Sequence, residues 1–160
     1  SCRRLSVGRN SKATNCLPNV LMQMEAKEAG FDNGVFIDAD GHVGESSNMN
    51  VAFVTRDGVL AHPKFDRVLA GCTSLRLLEL AGVLRDQGLL GGIEVRDIPV
   101  AEARASREML LLGSSVRVVP IVQWDEQVIG DGKPGPISRA LRRLLDEDMR
   151  ESDRLIDVPY

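Results

Sequence analysis

The chain has 160 residues, of which 43% are hydrophobic and 27% charged, a balance typical of one globular domain with a buried core. Its net charge of -3 favours neither nucleic acid nor an anionic membrane as a partner, and no run of about 18 apolar residues predicts a membrane span. The cysteines, Cys2, Cys16 and Cys72, are odd in number and widely spaced, which argues against a disulfide framework or a zinc knuckle and favours a reducing compartment.

The first predicted helix covers residues 17–29, and Gly30 marks its end. Its predicted buried face consists of four residues at helical spacing: Leu17, Val20, Leu21 and Met24. Lys12 lies just ahead of this helix.

The next segment, residues 35–63, alternates β-forming residues with turns at ADG and RDG, which predicts antiparallel hairpins. The stretch DADGHVGE resembles a calcium loop. In that alignment, however, Phe36 takes the first ligand position and Ser47 the twelfth, so we predict a hairpin turn at Asp40 and Gly41 instead. We expect His42 and His62 to be turn residues rather than catalysts, and we expect no bound metal.

A second helix is predicted after residue 72, with Thr73 as its N-cap, Gly88 as its stop, and an apolar stripe of Leu75, Leu78 and Val83. A strand (93–100), a helical turn (100–106) and two buried strands broken at GSS (108–124) follow. A closing helix begins at Pro136, and its predicted apolar face is Ile137, Leu141, Leu144, Leu145 and Met149. Because βαβ units do not alternate regularly, we predict an α+β fold, a sheet or pseudo-barrel with flanking helices, in one domain of residues 1–160.

Several polar residues have both a chemical and an ordinary interpretation. Lys12 is either a solvated charge or an amine that forms a Schiff base with an aldehyde. Glu45 is either solvated or paired with a protonated ring nitrogen. The segments GCT (71–73) and GSS (113–115) either bind an anion or only cap and turn the chain. The chain lacks the GxSxG elbow of serine hydrolases and the Walker P-loop, and the glycine-rich GDGKPGP does not match the latter.

Taken in order, the motifs KATNxLPN, DxDGxVxE, NxN, GxT before a leucine-rich helix, GSS followed by VVP, and IGDGKPGP resemble the class IV aminotransferases. These fold-type IV pyridoxal-phosphate enzymes include branched-chain aminotransferases, D-amino-acid aminotransferases and 4-amino-4-deoxychorismate lyases. The resemblance covers almost the whole chain. SKATNCLPNVL, ESSNMNVAFVT and the VPY ending are most similar to the plant plastid branch.

The resemblance implies pyridoxal 5'-phosphate as the cofactor. Lys12 would bind it covalently as a Schiff base and move a proton between the substrate α-carbon and the C4' atom of the cofactor. Glu45 would pair with the pyridine nitrogen and keep it protonated. Leu69 would pack on the ring.

The resemblance also implies where anionic groups bind. Backbone N–H groups of Cys72 and Thr73 and the hydroxyl of Ser114 would hold the phosphate, and the amides of Ser114 and Ser115 would face the substrate carboxylate. The chain departs from many relatives at Cys16, where they have a tyrosine that hydrogen-bonds the cofactor's phenolic oxygen. It also has threonine-serine where relatives often have threonine-arginine after the GxT glycine, and Ser114 replaces a common threonine.

In the family a smaller amino-terminal domain precedes the lysine and supplies a phosphate-binding arginine. We therefore expect this chain to correspond to the large cofactor-binding domain, with the small domain absent. The expected reaction exchanges an amino group between an amino acid, either a D-amino acid or a branched-chain one, and a 2-oxo acid. The alternatives are the lyase that gives 4-aminobenzoate and pyruvate in folate synthesis, and a truncated, non-catalytic form that binds cofactor or a partner. The resemblance also implies a homodimer in the full-length form and a plastid location, or otherwise a cytoplasmic one.

Overall fold

A computed structural model describes residues 4–5 and 16–156 of the chain. Four helices alternate with short strands in these residues. In chain order the elements are β1 (Arg4–Leu5), α1 (Leu17–Glu28), β2 (Val35–Ile37), β3 (Val43–Ser46), β4 (Asn50–Val54), β5 (Val59–His62), α2 (Cys72–Asp86), β6 (Gly92–Val95), α3 (Val100–Arg104), β7 (Glu108–Gly113), β8 (Arg117–Ile121), β9 (Gln123–Trp124), β10 (Gln127–Val128) and α4 (Pro136–Glu151).

The central sheet has five strands in the order β6-β5-β4-β7-β8. Its neighbours pair antiparallel except β5 and β6, which run parallel and are joined by α2. A three-stranded sheet, β1-β2-β3, and the small β9–β10 hairpin complete the β-structure of the described residues. The predicted mixture of helices and sheet is confirmed, as are the hairpins β2–β3 and β4–β5 with turns at the two DG sequences.

The core lies on both faces of the central sheet because its middle strands, β4 and β7, are buried on both sides. On one face, Phe53 and Leu111 pack with Trp124. On the other, inward residues of the strands pack against Leu77 of α2 and Leu141 of α4. Among the described residues, no helix is long and apolar enough to cross a membrane.

The predicted buried face of α1 is wrong, although the bounds of the helix are nearly right. Its four predicted face residues are about half exposed, and Met22 and Ala26 are buried instead. The reason is local. Gly34 has no side chain, and a Cβ there would lie 2.4 Å from Cγ of Met22, so the backbone at Gly34 leaves room for the methionine.

The predicted stripe of α2 is also wrong in two of its three positions. Leu75 and Val83 are exposed, Leu78 is half-buried, and the face against the sheet is Ser74, Leu77, Ala81 and Leu84. The helix has leucines on several of its sides, so periodicity alone does not predict which side is buried. The predicted capping by Thr73 is wrong as well, because Gly71 is the N-cap and no side chain caps the helix.

The closing helix α4 begins at Pro136 as predicted. Three of its predicted face residues, Ile137, Leu141 and Leu145, are buried. Leu144 is half-buried and packs against the core, and Met149, near the end of the helix, is exposed.

The two histidines differ in environment. His42 lies in the β2–β3 hairpin and forms an isolated antiparallel β-bridge with Pro99. Its backbone N–H donates to the carboxylate of Asp38. Burial opposes ionisation of Asp38, but this hydrogen bond and the charge of Arg67 outweigh it and lower the pKa of the carboxyl. His62 is not a turn residue, which corrects the prediction. It is the last residue of β5 and is fully buried.

The start of α4 is capped from a distance by Glu108 of β7. The carboxylate is buried and accepts the N–H groups of Ile137 (2.9 Å) and Ser138 (2.8 Å). A Cβ at Gly135 would lie 2.0 Å from the carboxylate carbon, so only glycine admits the carboxylate there. A negative charge at the positive end of a helix is stabilising.

We expect Glu108→Ala to lower the free energy of unfolding by about 2–3 kcal/mol, because two buried helix N–H groups lose their acceptor. Urea unfolding followed by fluorescence of the buried Trp124 measures this. Glu126→Ala, in the exposed β9–β10 turn, is the control and is expected to change stability by less than about 0.5 kcal/mol. Equal effects of the two variants would contradict the capping role.

Candidate active site

Glu45 lies near the end of β3 and is half-buried. Its Oε2 accepts the backbone N–H of Leu69 at 3.1 Å and the side-chain amide of Asn50 at 3.4 Å. Leu69 is itself half-buried, in the segment that leads into α2. The carboxylate is therefore oriented by two donors, and the structure brings together Glu45 and Leu69, which the resemblance assigns to one site.

Asn50 connects this carboxylate to the start of α2. Its amide also donates to the carbonyl of Leu69 at 2.8 Å, and its Oδ1 accepts the hydroxyl of the buried Ser74 at 2.9 Å. A Cβ at Gly71 would lie 2.3 Å from that Oδ1, so glycine is required for this contact. Neither Asn50 nor Ser74 is among the site residues predicted from the sequence, although Asn50 is the last residue of the NxN motif.

The start of α2 presents backbone donors that have no acceptor in the helix. Gly71 is extended, and its carbonyl accepts the first helical bond, from Leu75 at 3.0 Å. The N–H groups of Cys72, Thr73 and Ser74 precede that bond, so they carry the positive end of the helix dipole. Cys72 is exposed and Thr73 half-buried, an arrangement suited to an anion.

The turn between β7 and β8 contains Ser114 and Ser115, both exposed. Strand register pairs Asn50 with Leu112, so the next residue, Gly113, lies beside Met49. A Cβ on Gly113 would come 3.0 Å from Cγ of Met49. The serine turn and Asn50 are therefore at the same edge of the central sheet.

Lys12 lies outside the described residues, and its predicted role stays a prediction. The described chain resumes at Cys16, the exposed N-cap of α1. The start of α1 is fixed against the β3–β4 connection, since Asn19 donates to the carbonyl of Ser47. Ser47 in turn donates its hydroxyl to Gln23 at 3.0 Å. Helix α1 is thus anchored at Ser47, two residues from Glu45.

The sequence matches the amino-transferase class IV family over residues 2–124. The chain belongs to this family. It is 47% identical over 152 residues to the chloroplastic D-amino-acid transaminase of Arabidopsis thaliana, an alignment that covers 93% of this chain and 41% of that protein.

Solved structures of branched-chain aminotransferases share the fold. The branched-chain amino acid aminotransferase of Thermobaculum terrenum in its PLP form superposes with a TM-score of 0.77 at 29% identity, over 87% of this chain and 44% of that one. The branched-chain aminotransferase of the archaeon Thermoproteus uzoniensis with norvaline gives a TM-score of 0.78 at 27% identity, over 90% of this chain and 46% of that one. The chain therefore spans less than half the length of these relatives.

Proposed function

We propose that the chain forms the cofactor-binding part of a pyridoxal-phosphate-dependent transaminase that exchanges an amino group between a D-amino acid and a 2-oxo acid. The observation that carries the proposal is the network in which Leu69 and Asn50 orient the Glu45 carboxylate beside the start of α2. Family membership and the identity to a D-amino-acid transaminase support it.

The described residues fit pyridoxal phosphate at both of its polar ends. Glu45 offers an oriented carboxylate for a protonated pyridine nitrogen. The N–H groups at Cys72 and Thr73, with the hydroxyl of Ser114, offer donors for a phosphate. Glycine at position 71 leaves room for Oδ1 of Asn50 beside this helix end.

When bound, pyridoxal phosphate supplies an electron sink for the bond broken at the α-carbon of the amino acid. Lys12 would hold the cofactor at its aldehyde carbon, and its amine would remove the proton from the substrate α-carbon. Glu45 would hold a proton at the pyridine nitrogen. The backbone amides of Ser114 and Ser115 would orient the substrate carboxylate, and Leu69 would pack on the ring.

Two substrate pairs distinguish the candidate amino-acid substrates. The relatives named above include a D-amino-acid transaminase and branched-chain aminotransferases, so D-alanine and L-leucine, each with 2-oxoglutarate, are the discriminating pairs. Release of 4-aminobenzoate from 4-amino-4-deoxychorismate would instead identify the lyase. A plastid location and a homodimeric full-length form belong to the same proposal, the former supported by the chloroplastic relative.

Lys12→Ala is expected to abolish covalent cofactor binding, because the amine that attacks the aldehyde is lost. Titration of the chain with pyridoxal phosphate should produce a visible absorbance band that resists gel filtration, and the variant should show none. Reduction with borohydride followed by mass spectrometry should place the added mass on the peptide that contains Lys12.

The matched control is Lys27→Ala, which removes an exposed lysine of α1 and should leave the band unchanged. A parent chain that binds cofactor but keeps its band after Lys12→Ala would contradict the assignment of the lysine. A parent chain without any band would support the alternative of a non-catalytic form.

A further inference from the structure

The turn that carries Ser114 and Ser115 ends on a residue in an unfavourable conformation. Arg117, which pairs with Gly113 at the start of β8, has a φ of 62°. Short hairpin loops often require such a left-handed residue at their end, and glycine usually fills the position. A side chain with a Cβ makes this conformation costly, so the shape of the turn must be held from outside it.

The side chain of Arg117 supplies such a hold. Its Nη1 lies 2.7 Å from Oδ1 of Asp146 in α4. That helix is fixed at its start by Glu108 and along its length by the buried Leu141 and Leu145. Asp146 is thus held on the packed helix α4, whereas the Ser114–Ser115 turn that precedes Arg117 is exposed.

The opposite end of the turn is fixed by the sheet. Gly113 packs against Met49, and the register of β4 with β7 places it next to Asn50. The turn is therefore held at one end near the Glu45 network and at the other by Asp146.

We propose that the Arg117–Asp146 ion pair positions the Ser114–Ser115 turn to receive an anionic group, the phosphate of the cofactor or the carboxylate of the substrate. Arg117 and Asp146 act here as positioning residues that do not contact the ligand. Both residues are half-buried; an ion pair near the surface contributes little by itself, but this one acts directly on the strained residue. The proposal rests on the proposed function for the identity of the anion.

The test uses Asp146→Asn, Arg117→Gly and the double variant. Asp146→Asn removes the hold but keeps the strained arginine, so affinity for the anion should fall about threefold to fivefold. Glycine adopts a φ of this kind freely, so Arg117→Gly alone and the double variant should both bind as the parent does. Glu147→Gln, an exposed carboxylate of α4 paired with Arg143, is the matched control and should change nothing.

Two readouts separate this inference from the proposed function. In cofactor-free protein, amide hydrogen exchange at residues 114–117 should accelerate in Asp146→Asn and return towards the parent rate in the double variant. In binding titrations, a loss for pyridoxal phosphate but not for pyridoxal identifies the phosphate. A loss for 2-oxoglutarate alone identifies the carboxylate.

Unchanged exchange and unchanged binding in Asp146→Asn would overturn the inference, as would a double variant no better than Asp146→Asn. A parent chain that binds no pyridoxal phosphate would sink the proposed function instead, and the exchange experiment would still decide whether the ion pair holds the turn.

Discussion

Glu45→Gln is expected to leave covalent cofactor binding intact and to lower transaminase turnover by a factor on the order of 100 to 1,000, the usual cost of removing one preorganised electrostatic partner. Glutamine keeps an oxygen that can accept the N–H of Leu69 and the amide of Asn50, so the fold should be retained. It lacks the negative charge that holds a proton on a pyridine nitrogen.

The measurement combines the visible absorbance titration with initial rates for D-alanine and 2-oxoglutarate. Glu126→Gln, exposed in the β9–β10 turn, is the matched control and should keep the parent rate. A Glu45→Gln protein with full turnover would show that the carboxylate is not the partner of the ring nitrogen. If turnover falls and the absorbance band disappears too, the residue acts in binding rather than in the chemical step.

The candidate site residues could be picked out from the sequence because each lies in a short local pattern. The GCT and GSS segments and Glu45 are short polar interruptions beside apolar helices or strands, and they lie at the ends of α2, β7 and β3. Turn chemistry at the two DG sequences likewise predicted both hairpins. These features are determined by residues close together in the sequence, so a short stretch of sequence is enough to predict them.

Features that depend on distant partners could not be predicted. Asn50 acquires its role from Leu69 and Ser74, 19 and 24 residues away. The cap of α4 comes from Glu108, 29 residues before Ile137. A side chain that accepts hydrogen bonds from another element has no local pattern to reveal it.

The predicted buried faces of α1 and α2 are wrong for a different reason. In α1 the predicted apolar stripe is about half exposed, yet Met22 is buried because Gly34 leaves space for it. Periodicity indicates that a stripe exists, but packing against a specific partner decides which side is buried. In α2, leucines lie on several sides of the helix, so only the packing against the sheet decides which side is buried.

The last prediction concerns acid stability and His62. Burial lowers the pKa of this histidine from its ordinary value of 6.5 to about 4, partly opposed by its hydrogen bond with the carbonyl of Pro63. The Nδ1–H donates to that carbonyl at 2.6 Å, so a proton added at Nε2 would be buried, and this atom has no hydrogen-bond partner among the described residues. Folding therefore favours the neutral ring.

The sign of the effect follows from which state binds the proton more readily. The unfolded chain takes up the proton near pH 6.5, whereas the folded chain resists until about pH 4. The contribution of His62 is therefore complete above pH 6.5, falls as the pH drops from 6.5 to 4, and amounts to about 3 kcal/mol in total. Asp97 and Glu102, whose pKa values are lowered by hydrogen bonds from Lys64 and Arg96, lose their contributions only below their ordinary values, at more acidic pH.

Urea unfolding between pH 7.5 and 4.5 should therefore show a loss of about 2–3 kcal/mol in the parent. His62→Phe preserves an aromatic ring beside Phe65, whose centroid lies 4.6 Å away, and should flatten the curve over this range whatever its stability at pH 7.5. His42→Gln removes the half-buried histidine and should retain the slope. A flat parent curve, or an unchanged slope in His62→Phe, would show that the buried ring does not control acid stability, because no other described histidine is buried in this way.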